Sequence, residues 1–105
     1  MSKISVCIKE PGKLPRHVNI ENTLRNLQRT VDGYIEIVRL GHGLVMIVNE
    51  EGKIRGLEPN FRLYDDLIVG TAILCGESGE DLADLPCSWA QLKTLLPQLW
   101  EELAR

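Results

Sequence analysis

No apolar run in this chain of 105 residues outlasts Leu44 to Val48, whereas a membrane-spanning helix needs roughly 20 apolar residues in succession. The sequence therefore predicts no transmembrane segment. The residues after Met1 also lack the apolar stretch and small-residue cleavage site of a secretory signal, so a cytoplasmic protein is expected. Of three cysteines, Cys7, Cys75 and Cys87, no two stand at C-x-x-C spacing, and three cannot all pair within one chain. Reduced thiols buried as small hydrophobes are expected. His17 and His42 are the only histidines, and neither has a second histidine or a cysteine at metal-ligand spacing. A Cys-His pair such as Cys7 or Cys75 with His17 stays open, since such partners are distant in sequence, but no local signature of a cysteine protease is present. The glycines of Gly41-His42-Gly43 and Gly76-Glu77-Ser78-Gly79 are not followed by the lysine and helix of a phosphate-cradling loop. No catalytic residue, cofactor or metal is predicted.

What is present reads as one ordinary globular domain over residues 1–105, 44% hydrophobic and 26% charged, with no repeat or linker. Ile4, Val6 and Ile8 alternate as a strand does. Pro11-Gly12 suits a type II turn into a return strand through His17, Val18 and Ile20. Leu24, Leu27 and Val31 then recur at helical spacing, with Asn22 expected as N-cap and Gly33 as the left-handed residue past the end. Tyr34 to Leu40 and Leu44 to Val48 read as strands joined at Gly41-His42-Gly43, the second of them central. A hairpin around Gly52 into a strand from Lys53 to Leu57 is expected, then an interruption at Pro59-Asn60. Leu67 to Cys75 is expected as one strand kinked at Gly70. Ser88-Trp89-Ala90-Gln91 forms a capping box, and Pro97, which a helix interior excludes, opens a second short helix. The fold class is α+β: a largely antiparallel sheet of five to six strands, one short internal helix and a kinked C-terminal helical region.

Charge is uneven. Residues 1–62 hold 10 basic and 7 acidic side chains, residues 63–105 hold 2 and 8, and the whole is formally −3. Arg16, Arg39, Arg55 and Arg62 are candidate binding residues, since arginine suits bidentate recognition of phosphate or carboxylate. Gathered on one sheet face they would serve a nucleic acid or nucleotide, whereas an exposed apolar groove would serve a protein partner. Asp65 and Asp66, just ahead of an apolar strand, are expected to place a carboxylate at a sheet edge. The wide C-terminal apolar face raises self-association: if the first helix fills part of the sheet face it needs, then Leu99, Trp100 and Leu103 are left to close a homodimer.

Several segments together carry a resemblance: Glu10-Pro11-Gly12-Lys13, Glu21-Asn22-Thr23-Leu24, Gly33-Tyr34-Ile35-Glu36, Asn49-Glu50-Glu51-Gly52-Lys53, Gly56-Leu57-x-Pro59-Asn60 and Asp66-Leu67-Ile68-Val69-Gly70-Thr71. In this order and spacing the chain resembles the small-domain family called domain of unknown function 3846, from about residue 3 to about residue 96. The resemblance implies a setting in phages, plasmids and conjugative elements, hence the cytoplasm of a bacterial host. It carries over no catalytic residue. By analogy with other small phage domains, the expected role is a non-enzymatic accessory protein that binds a host protein stoichiometrically, inhibiting a defence system in an anti-CRISPR or other anti-defence role. The alternative is a nucleic-acid or nucleotide binder.

Overall fold

The computed structural model describes residues 2–103. Its elements are β1 (Lys3–Lys9), β2 (Arg16–Glu21), α1 (Leu24–Val31), β3 (Ile35–Gly41), β4 (Leu44–Asn49), β5 (Pro59–Leu63), β6 (Asp66–Val69), β7 (Ala72–Ser78), β8 (Asp81–Ala83), α2 (Trp89–Leu95) and a 3₁₀ turn (Pro97–Trp100). Six strands form one sheet in the order β2-β1-β7-β4-β3, with β8 also paired to β7, while β5 and β6 form a separate hairpin. Every pairing is antiparallel, as the hairpin signals require. No helix among the described residues is long and apolar enough to cross a membrane.

Strand alternation divides the interior into two cores, one on each face of the large sheet. Ile4, Val6, Val45, Ile47 and Ile73 point to one side, where Leu27 and Val31 of α1 cover them. Cys7, Met46, Val48 and Leu74 point to the other, beneath Phe61 and Ile68 of the hairpin and Leu92, Leu96 and Leu99 of the C-terminal segment. β4 is buried along its whole length because both layers press on it. The Gly12 turn forms as expected, with φ of 73° and a Lys13 N–H to Glu10 C=O bond of 3.2 Å, a conformation that glycine takes without a Cβ clash.

Several local expectations are corrected. Thr23, not Asn22, is the N-cap of α1: its Oγ1 accepts the Asn26 amide at 3.2 Å, while the Asn22 side chain donates to the Leu82 carbonyl. Asp32 takes the left-handed position at the end of α1, φ 63°, one residue before Gly33. Leu24 is 59% exposed rather than part of the buried stripe. Lys53 to Leu57 is not a strand and Gly52 closes no hairpin. Asn49 overrides the pattern there: its Oδ1 accepts the Glu51 amide and its Nδ2 donates to the carbonyls of Val31 and Asp32, and the chain coils through backbone bonds from Arg55 to Glu51 and from Leu57 to Gly52. Such Asn-initiated turns compete with a ladder because the side chain supplies the backbone's partner.

Pro59-Asn60 begins β5 rather than interrupting the pattern; a strand start tolerates the missing proline donor. Leu67 to Cys75 is two strands, since Gly70, φ 74°, turns the chain from the hairpin into the large sheet. At the C-terminus the capping box closes, Ser88 Oγ accepting the Gln91 amide and Gln91 Oε1 the Ser88 amide. Pro97 opens the 3₁₀ turn. The premise for self-association does not hold, because α1 covers the opposite face of the sheet and Leu99 is only 1% exposed in its own protomer.

Candidate functional site

The thiols are held away from chemistry. Cys7 and Cys75 are fully buried, and burial pushes both up from an ordinary 9.0 to about 12, so the nucleophilic thiolate is scarce at neutral pH. Burial raises Cys87 as well. The β1–β2 register sets His17 opposite Cys7, yet its Nε2 is hydrogen-bonded to Ser5 Oγ and its ring stacks on Trp89 at 5.6 Å. The Ser5–His17 contact was not foreseen from sequence. Among the described residues no carboxylate bonds His17 as the orienting member of a hydrolytic triad would; Asp84 Oδ1 accepts the Ser5 amide.

The raised thiols predict a pH dependence. A group whose pKa is higher in the folded state adds stability that is complete below its unfolded pKa and is lost as pH rises through the folded one. For Cys7 and Cys75 that window runs from about 9.0 to about 12. Urea unfolding at rising alkaline pH should therefore show a decline that the Cys7→Ala/Cys75→Ala double variant flattens. An equal decline in both proteins would contradict the assignment. Lys9, lowered by desolvation and partly held up by Cys7, acts in the opposite sense and is present in both proteins.

The four candidate arginines do not form one patch. Arg16 is on β2 at one border of the sheet and bonds Glu10 at 2.9 Å; Arg39 is on β3 at the other and bonds Glu77 at 2.9 Å. Arg55 pairs with Asp32 at 3.1 Å in the coiled segment. Arg62 on β5 has no ion-pair partner among the described residues.

What does share one surface is Arg39, Asp65 and Asp66, although the Arg39 guanidinium turns to Glu77 on the α1 side of the sheet. They lie along a groove between β3 and the β5–β6 hairpin, made of two adjoining hollows of about 420 and 620 Å³ that share Val38, Leu63 and Asp66. Among the described residues β3 pairs with β4 alone, which leaves the hydrogen-bonding groups of its outer side without a strand. The two borders of the sheet differ in character. β2 exposes Arg16, His17, Asn19 and Glu21, the polar cover that discourages pairing, whereas β3 exposes the apolar Ile37 between Glu36 and Arg39, with Ile35, Val38 and Leu40 half-buried against the cores. Ile54 and Tyr64, 87% and 83% exposed, flank the groove. Lys53 and Asp66 form an ion pair beside it.

Tyr64 is the feature that sequence reasoning missed. Leu63 pairs with Asp66, so Tyr64 and Asp65 are the whole turn, and Tyr64 has φ 54°. Glycine is favoured there, and a bulky residue in that conformation costs on the order of 1–3 kcal/mol. The exposed ring has little packing to hold it in that strained turn. No residue pattern announced it, because the backbone angle exists only once β5 and β6 pair.

A family model described as Domain of unknown function (DUF3846) matches residues 4–96. The chain belongs to this family. The DUF3846 match takes in β3, the coiled segment and the whole β5–β6 hairpin, so the groove lies inside the family domain, and it ends before the 3₁₀ turn. No curated protein and no solved structure matches the chain. Among the described residues no three histidine, cysteine, aspartate or glutamate side chains are grouped as metal ligands.

Proposed function

We propose that the chain is a binding protein that accepts an extended segment of a protein partner along β3, as an added strand whose side chains enter the adjoining groove. The observation that carries this reading is the border strand β3, without a strand partner on its outer side among the described residues, lying against a groove flanked by the exposed Ile54 and the strained Tyr64. Strand addition draws affinity from main-chain hydrogen bonds and specificity from pockets for alternate side chains, and β3 with its groove offers both. The accessory role implied by the family resemblance fits: a small factor of a mobile element that occupies a host defence component stoichiometrically. The nucleic-acid reading has less behind it, since Arg16 and Arg39 stand at opposite borders and both are paired with carboxylates.

Ile37→Lys tests it. Ile37 is on β3, on the α1 side of the sheet, and is already partly exposed, so the variant should fold, yet a lysine on a border strand disfavours pairing with an added strand. Affinity for a host protein captured by the wild type should fall at least about tenfold, as expected where a border charge disfavours strand pairing. Expression of the wild type should restore phage plating on a defended host, and the variant should not. A folded variant with full capture and full restoration would contradict the proposal.

A further inference from the structure

A second concave surface, which shares Leu67 with the groove, lies between the end of β1, the β5 strand and the 3₁₀ turn. It is a cleft of about 770 Å³, within the range of small-molecule sites. Lys9, at its floor, is 4% exposed; its Nζ donates to the Glu10 carbonyl at 2.9 Å, and no carboxylate pairs with it among the described residues. Asn60, also 4% exposed, gives both Nδ2 protons away, to the carbonyls of Lys9 and Gly70 at 2.8 Å each. Its buried Oδ1 has no protein partner. Buried ammonium groups and buried carbonyl oxygens are normally paired; here Asn60 Oδ1 has no partner, and Lys9 has a neutral carbonyl but no counter-charge among the described residues.

The rest of the lining narrows what would pair with them. Lys13 and Arg62 add two cations, and Glu58, Glu101 and Glu102 add three carboxylates, so the walls are balanced in charge. A phosphate or other simple anion would answer the cations and face the carboxylates. The apolar wall is Leu14, Leu67, Leu99 and Trp100. Trp100 is fixed edge-on against Trp89 at 5.3 Å, with Lys93 Nζ 5.9 Å from its ring centre.

We infer that this cleft binds a short zwitterionic peptide of two or three apolar residues, its carboxylate toward Lys9 and Arg62, its ammonium toward the glutamates and Asn60 Oδ1, and its side chains against Trp100. A free ammonium group supplies the donor that Asn60 Oδ1 lacks and a free carboxylate supplies the anion that Lys9 lacks, so both termini contribute to affinity. The cleft volume exceeds what a single amino acid fills and suits a di- or tripeptide.

Leucyl-leucine is the probe, compared with N-acetyl-leucyl-leucine and leucyl-leucinamide by calorimetric titration of the whole chain, with tryptophan fluorescence as a second readout. The uncapped dipeptide should bind saturably and shift the emission. Each cap should weaken binding at least tenfold. Arg62 is exposed, so Arg62→Gln should fold; it should lose affinity for the acid and narrow the gap between acid and amide, which a purely structural role for Arg62 would not do. Failure of leucyl-leucine to bind, equal binding of all three probes, or an unchanged acid-to-amide ratio in Arg62→Gln would each overturn the inference. The groove proposal rests on other residues and stands or falls separately.

Discussion

Gly76→Ala should be among the most damaging single-methyl changes in the chain. Gly76 is in β7, at the centre of the large sheet, paired with Leu44 on one side and Ala83 on the other. After β8 the chain crosses back toward β1, where the Leu85 amide bonds the Ser5 carbonyl and Asp84 Oδ1 accepts the Ser5 amide. A Cβ on Gly76 would stand 2.2 Å from the Asp84 carbonyl oxygen and 3.3 Å from its carbon. Both are backbone atoms in a hydrogen-bonded crossing, so no side-chain rotation relieves the overlap. Overpacking of a well-filled interior commonly costs 1–3 kcal/mol, and a clash with fixed backbone belongs at or above about 3 kcal/mol. For a domain of this size that lowers the melting midpoint by on the order of 15 °C. A variant melting within about 3 °C of the wild type would show that the β7–β8 crossing is not packed as described.

Tyr64→Gly should separate folding from recognition. Glycine relieves the strain at φ 54° but loses conformational entropy on folding, and the two effects oppose each other at roughly 1 kcal/mol apiece. The melting midpoint should therefore hold or rise slightly. Partner affinity should nevertheless drop at least about tenfold, because a strained, exposed aromatic beside the groove is the anchor the proposal relies on. If Tyr64 were merely a turn residue, the variant would bind as the wild type does. Calorimetric melting and a binding titration on the same preparation distinguish the two outcomes.

The parts of the fold that local chemistry decides were readable in advance. Ile4, Val6 and Ile8 carry the period of a strand, Ser88 and Gln91 the reciprocal cap, and Pro97 the break, because each is settled by neighbours a few residues away. The errors fall where a distant contact overrides the local pattern. Lys53 to Leu57 coils because Asn49 reaches back to the end of α1. Leu67 to Cys75 divides because β6 and β7 join different sheets. The same holds for the sites. Arg39, Asp65 and Asp66 were flagged as separate residues, and their shared groove depends on the hairpin packing over β3 and β4. Lys9 and Asn60, 51 positions apart, offered no sequence signal at all.

Amide hydrogen exchange on the wild type, alone and in complex with a captured host protein, tests the central claim most directly. Free, the outer amides of β3 should exchange quickly, as those of a border strand with no partner do. In the complex, protection should rise over residues 35–41 and around the Tyr64 turn, while β2 at the opposite border stays as it was. Protection gathered on β2 or α1, with β3 exchanging as fast as in the free protein, would contradict strand addition at this groove.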